Sequence, residues 1–231
     1  MLEADISTDL SWVLADTGGI DDAIQLIHVA RRHYAISDTP EAIAGRVRTL
    51  RYEGVFHLMR QDWSQARHQF EHVITEVAAL VADVSLSDET VRKSLMRQAV
   101  TARDSLGIAL TELGDFERAE AELTRSHAET DPANSTAQTF SILNLAKLRI
   151  RQRRFDEAQT LLEVCWQASL DQNNRYLCAA ALHHLAEIAL LRGNHDRARA
   201  LAIDAAAIYQ RMGALRSERQ LLNFLKGLPA A

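Results

Sequence analysis

His68 and His72 stand four residues apart, a spacing that puts two imidazoles on one face of a helix, where they could share a metal ion. A metal centre needs a third ligand, and none is evident nearby. Position 70, between them, is a phenylalanine that reads as core. The pair is expected on the surface. His183 and His184 are adjacent, and adjacent positions on a helix point in different directions. Cys165 and Cys178 lack metal or redox spacing and fall on apolar helical faces, where buried thiols act as small hydrophobes. The densest basic run, Arg149 to Arg154 (RIRQRR), spreads its charges around a helix and forms no single phosphate-tracking stripe. No phosphate loop, no Gly-x-Ser-x-Gly and no Cys–His arrangement with a local signature occurs. The sequence therefore predicts no catalytic residue, metal site or cofactor.

The elements that carry these side chains are helices. Apolar residues make up 47% of the 231, enough for a substantial core. The composition leans to Ala, Leu, Glu, Arg and Gln, all good helix formers. Three prolines and nine glycines are too few for a chain of short strands and tight turns. The fold class predicted is all-α. A formal charge of -5 argues against a nucleic-acid binder, which carries a basic balance or a basic face. The opening MLEADISTDL is acidic and polar and shows no secretory leader. No apolar run reaches the roughly 18 residues of a membrane span. The expectation is a soluble, cytoplasmic protein that contacts neither nucleic acid nor membrane.

One pattern recurs five times. Aligned on the alanine after a polar turn stand Ala23, Ala66, Ala119, Ala158 and Ala198. Three residues earlier come Ile20, Trp63, Phe116, Phe155 and His195, and four later Ile27, Phe70, Leu123, Leu162 and Ala202. Twelve residues before each alanine, across the turn, stand Ser11, Gly54, Gly107, Ala146 and Ala186, all small. The offsets are those of one helical face. Two helices joined by a short turn fold back antiparallel, and the small pair is expected to let their backbones approach closely. The intervals between alanines, 43, 53, 39 and 40 residues, leave room for two helices per unit.

Helix starts are marked separately. Thr39 reads as an N-cap with Pro40 in the first turn, Asp131 before Pro132 as another, and the segment around Ser87 as a third. The longest interval holds Leu80 to Lys93 and predicts an extended helix or a longer loop. After the last unit a final helix offers Leu215, Leu221, Leu222, Leu225 and Leu228 to cover the open end of the stack.

This register resembles the tetratricopeptide repeat, in which a small residue of the first helix pairs with an early alanine of the second across a turn often reading Gly-Asp/Asn-aromatic. Leu106 to Pro132 is the nearest copy and Leu185 to Ala205 the next. The resemblance implies a single array over residues 1–231, an α-α superhelix of about five hairpins. Its units run over about 5–38, 39–85, 86–131, 132–172 and 173–213, with a capping helix at 214–228. The units exceed the family's usual length and look like those of bacterial regulatory and adaptor members. Gln61 and Arg153 replace the turn glycine, and the first unit's opening helix reads as short.

In such arrays the first helices line a concave wall where ligands lie. Wall positions carried over from the resemblance are Thr8, Trp12, Ala15 and Asp16, then Arg51, Val55, Leu58 and Met59, then Asp104, Ile108, Thr111 and Glu112. Leu143, Lys147, Ile150 and Arg151 continue the set, and His183, Glu187, Leu190 and Leu191 end it. The wall mixes basic, apolar and acidic groups and suits a peptide or protein segment held by a few aromatic and arginine anchors. Leu58, Leu143 and Leu190 read equally as packing between repeats. The carboxylate clamp of chaperone-binding members is absent, since Thr8, Trp12 and Asp104 occupy its places. The function implied is a non-catalytic peptide- or protein-binding scaffold. The alternative is a sensory module of a bacterial transcription-regulatory system that responds to a peptide or small effector. The leucine-rich last helix also suits pairing with a second copy.

Overall fold

Each of the five aligned turns is a helix stop followed at once by a helix start. In the computed structural model, described over residues 2–83 and 86–228, the described residues form eleven helices and no strand. Five antiparallel pairs come first. They are α1 (Leu2–Thr17) with α2 (Ile20–Tyr34), α3 (Pro40–Arg60) with α4 (Trp63–Ala82), and α5 (Glu89–Leu113) with α6 (Phe116–Glu129). The last two are α7 (Ser135–Arg151) with α8 (Phe155–Asp171), and α9 (Arg175–Leu191) with α10 (His195–Met212). A final helix, α11 (Leu215–Gly227), packs on α10.

The turns share one hydrogen-bond scheme. In the second turn the N–H of Gln61 donates to the Leu58 carbonyl (3.0 Å) and that of Asp62 to the His57 carbonyl (2.9 Å). The same two bonds close the turns at Gly18–Gly19, Gly114–Asp115, Arg153–Arg154 and Gly193–Asn194. This Schellman closure satisfies orphan carbonyls and needs a left-handed residue. Glycine fills that place three times, whereas Gln61 (φ 64°) and Arg153 (φ 61°) adopt it despite their Cβ. In three of the five turns the next side chain caps the following helix, Asp62 accepting from the Gln65 N–H, Asp115 from the Arg118 N–H and Asn194 from the Arg197 N–H. The recurrent Ile20, Trp63, Phe116, Phe155 and His195 are then the first residues of the five second helices.

Other starts differ from the sequence reading in part. Thr39 caps α3, accepting from the Ala42 N–H, with Pro40 first in the helix. Asp131–Pro132 starts no helix. The Asp131 carboxylate accepts from the Ala133 N–H (2.9 Å) and closes a turn, and Asn134 caps α7 through the Ala137 N–H (3.1 Å). Near Ser87 the cap is Asp88, which accepts from Thr90 and Val91. The long interval is filled by the 25-residue α5 and a connection that includes residues 84 and 85, which lie outside the described set. The opening helix is not short, since α1 holds 16 residues.

The chain divides into two compact units, Met1–Glu129 and Thr130–Ala231. Within the first, α1, α3 and α5 touch in sequence, and α2 and α4 each also pack on the hairpin that follows. Within the second, α7 touches α9, and α8 packs on α9. All ten aligned small residues are buried. The space above the glycines, however, is filled by a large residue. A Cβ on Gly54 would lie 2.7 Å from the Phe70 ring, and one on Gly107 would lie 2.4 Å from Leu123 Cγ. The closest approach is thus small residue against the side chain four places past the alanine, because that position points across the pair. The hydroxyl of Ser11, the one polar member, donates to the Thr8 carbonyl (2.6 Å).

Between hairpins the joints are partly ionic. Buried Glu53 on α3 accepts from Arg31 (2.5 Å) and pairs with His28 (3.0 Å), both on α2, while Arg31 also donates to the Thr49 hydroxyl (3.2 Å). Asp5 on α1 accepts from the Tyr34 hydroxyl (2.6 Å) and from Arg48 (2.7 Å), tying α1, α2 and α3 together. In the second unit Ala179, Ala186, Ala202, Ala205, Tyr209 and Leu221 form one cluster, with Leu225 and Phe224 packed against it. Leu221 and Leu228 are buried, but Leu215 and Leu222 of α11 face outward, so the last helix covers its neighbour with one stripe only. No described helix is long and apolar enough to cross a membrane.

Candidate functional site

In the first unit, four of the positions expected to form a wall lie on α3. Arg51 lies with its guanidinium carbon 4.7 Å from the centroid of the Tyr52 ring, a cation–π stack. Trp12, on α1, meets Tyr52 edge-on at 5.1 Å and Phe56 at 5.4 Å and keeps about a third of its surface open, 36%. Burial pulls the Arg51 guanidinium below the usual arginine range, and the neighbouring Arg48 adds to that, although Tyr52 opposes it. Arg48 is occupied by Asp5 and Tyr34. Arg51 has no carboxylate within ion-pair distance among the described residues, and its Nε makes no hydrogen bond there.

The remaining positions of this wall divide. Val55 and Leu58 are half-buried, as are Asp104 and Ile108 on α5. Met59 packs against the cluster of Ala15, Ala23, Ile24, Ile27 and Phe56. Thr8 is not on the surface at all. It is buried, as are Ala15 and Thr111, and its hydroxyl donates to the Ala4 carbonyl (2.7 Å).

In the second unit α7, α9 and α11 bring several polar groups together. His183 and His184 do not diverge, because their rings stack in parallel at 5.2 Å with 2° between planes, and Phe224 of α11 meets His183 at 6.0 Å. His184 pairs with Glu187 (3.1 Å). Burial pushes His183 down to about 4, and the charges of His184 and Lys147 push the same way against Glu187. His183 is therefore neutral at neutral pH. For Glu187 burial raises the carboxyl, but the His184 hydrogen bond and the charges of His184, Arg151 and His183 outweigh it and hold the group below its usual range. Lys147, Arg151, His183 and Glu187 thus act on one another electrostatically. Leu143 does not belong to the open wall. At 5% exposure it lies in the core with Ala146, Ile150, Leu162 and Leu177. Leu190 packs beside Ala189, Ala198 and Leu228.

The other chemistry-bearing residues stay apart. His68 and His72 are exposed, with Glu76 at 3.4 Å from His72, and among the described residues no three metal-ligating side chains converge. Cys165 and Cys178 are buried and free, and burial pushes the Cys165 thiol up to about 11. The basic run is partly neutralised, since Glu157 accepts two bonds from Arg154 (both 2.6 Å) and faces Arg149 at 3.5 Å. Sequence reasoning missed Tyr52, Phe56 and Phe224. The i, i+4 aromatic pair at 52 and 56 was the available signal for the first two.

Helical hairpins with one repeated turn, one buried small-residue register and first helices in contact within each unit define a TPR-like helical-repeat fold. Residues 178–212, most of α9 and all of α10, match the tetratricopeptide repeat family, which places one tetratricopeptide repeat in the second unit. No curated protein matches the chain. Among solved structures, the apo form of RapI superposes with a TM-score of 0.64 at 11% identity, covering 96% of this chain and 81% of RapI. The nearly identical TPR-like repeats of a Podosopora anserina protein assigned as a kinesin light chain give TM-scores of 0.58 and 0.55 in two crystal structures. Identity is 17% in both, with 90% of this chain and 95% of that one covered. At these identities the likeness is one of fold.

Proposed function

We propose that the chain is a non-catalytic scaffold whose first-helix walls bind a peptide or protein segment, and that the first unit selects an acidic side chain next to an apolar one. The observation that carries this reading is Arg51. It is a cation stacked on Tyr52 beside the partly open Trp12, with no carboxylate of its own. A guanidinium flattened on an aromatic ring keeps its edge donors for a planar carboxylate, while the indole offers apolar contact. Few residues carry most of the energy in such interfaces, and Trp, Tyr and Arg are enriched among them. The TPR-like fold supports the reading, because stacked hairpins present extended binding surfaces.

The test uses fluorescently labelled synthetic peptides in which Asp or Glu alternates with Leu or Phe, with Lys-for-Glu peptides as controls. Arg51→Glu should lower the affinity for the acidic set at least tenfold, about 1.4 kcal/mol or more, while circular dichroism stays that of the wild type. Trp12→Ala should weaken both the acidic and the control sets. Wild-type affinity for acidic peptides in Arg51→Glu would remove Arg51 from the site, and the reading with it.

A further inference from the structure

We propose that α11 of one copy docks antiparallel on the outer face of α1 of a second copy, so that chains associate head to tail. The inner face of α1, Ala4, Thr8, Ser11 and Ala15, is buried. Its opposite face is also apolar, with Leu2, Ile6 and Val13 at 74%, 55% and 59% exposure. Asp9 and Asp16 are exposed on that same stripe. A helix apolar on both faces calls for cover on both. An uncharged partner helix would strand the two carboxylates, and a second α1 laid antiparallel would set Asp9 against Asp16. The cover must therefore be apolar and basic.

The outer face of α11 has that chemistry at a matching spacing. Leu215, Arg219, Leu222 and Lys226 follow one another at helical intervals and are all exposed. Along α1 the order is Asp9, four residues to Val13, three to Asp16. Read backwards along α11 it is Lys226, four residues to Leu222, three to Arg219. Antiparallel docking pairs Asp9 with Lys226, Val13 with Leu222 and Asp16 with Arg219, and each charge pair is spaced by two turns, about 10 Å. None of the four charged groups has an ion-pair partner among the described residues. Two α11 helices would oppose Arg219 to Lys226, so the favoured contact is between unlike faces. Such a heterologous contact leaves each copy one free face of each kind, so copies add until a ring closes or continue as an open chain.

Sedimentation velocity on the full chain at low salt tests this. The mean mass should rise above that of the monomer with concentration, and high salt should reverse the rise as the pairs are screened. Val13→Glu on one face and Leu222→Glu on the other should each give monomers with wild-type helicity, since both side chains are exposed. Mixed in equal amounts, the two variants should form a dimer that grows no further, because each keeps one intact face. Asp16→Arg should weaken association about tenfold, and mixing it with Arg219→Glu should restore the contact by reversing one pair. A wild type that stays monomeric, association untouched by Val13→Glu or Leu222→Glu, or a mixture of the two variants that stays monomeric would each overturn the proposal.

Discussion

Replacing the carboxylate of Glu53 by an amide would leave Arg31 and His28 facing a neutral group at a buried joint. Arg31 is partly open to water, with 26% of its side chain exposed, so the loss is smaller than for a fully buried pair. Glu53→Gln should cost about 1–3 kcal/mol in urea unfolding, the range for hydrogen bonds to charged groups. For Glu53 itself burial raises the carboxyl, and the bonds from His28 and Arg31 outweigh it and lower it. Its stabilisation is therefore present above the ordinary carboxylate range and is lost as pH falls through the lowered value. His183 gives an earlier acid response. Its folded value, about 4, lies below the 6.5 of a free imidazole, so the unfolded chain binds the extra proton between the two. Stability should fall as pH drops through that window and level off below it. His183→Gln should flatten the slope of stability against pH between those values while leaving the loss below them, which belongs to Glu53, Asp5 and Glu187. An unchanged slope in His183→Gln would mean that the imidazole is not buried in its neutral form. Adjacent positions on a helix gave no hint of the His183–His184 stack, because α11 supplies Phe224 from 41 residues away and holds the ring in place.

At the level of the helix and its turn, the repeated closure has two members that break its own rule. Gln61 and Arg153 hold a left-handed conformation that costs an L-residue roughly 1–2 kcal/mol, a cost glycine avoids at the price of a looser unfolded chain. Arg153→Gly should therefore raise stability modestly, by up to about 1 kcal/mol, visible as a higher melting midpoint. Gly107 presents the opposite balance. In an open helix Gly→Ala gains about 1 kcal/mol of propensity, but here the new methyl would meet Leu123 at 2.4 Å. Overpacking of this kind costs about 1–3 kcal/mol, so Gly107→Ala should come out destabilising. Gly227→Ala in α11, where nothing lies within 4 Å, is the control that should not destabilise. An increase in melting midpoint for Gly107→Ala would show that α5 and α6 can separate freely. These elements were legible because turn chemistry is local. A left-handed residue, a cap and an apolar first residue sit within three positions of each other. Asp131–Pro132 was misread for the same reason, since Asp before Pro suits a turn as well as a cap and only Asn134, three residues on, decides between them.

Along the chain the five hairpins could be read from their period, whereas the exposure of the expected wall positions could be read only in part. Position within a repeat says which residues face inward, but not which of them a neighbouring helix will cover. Leu143 and Thr8 were covered, and Trp12 and Arg51 were not. The organising aromatic, Tyr52, lay one residue outside the carried-over positions. The division at Glu129 was not visible either, because the repeat register runs through it unbroken. The two units differ in what they hold. The first has three hairpins, and the second has two hairpins with α11 over the cluster of Ala202, Ala205 and Tyr209. Stability in repeat arrays is close to a sum of repeat and neighbour terms, and about three repeats are needed for a stable stack. Fragment 1–129 should thus fold alone with a cooperative urea transition followed by circular dichroism. Fragment 130–231 should fold with a lower midpoint, and shortening it to end at Gly213 should remove its cooperative transition, because Tyr209 and its alanine neighbours lose the cover of Leu221. A shortened fragment as stable as 130–231 would mean that α11 does not serve as the lid of this unit, and its leucine face would then have no role within its own chain.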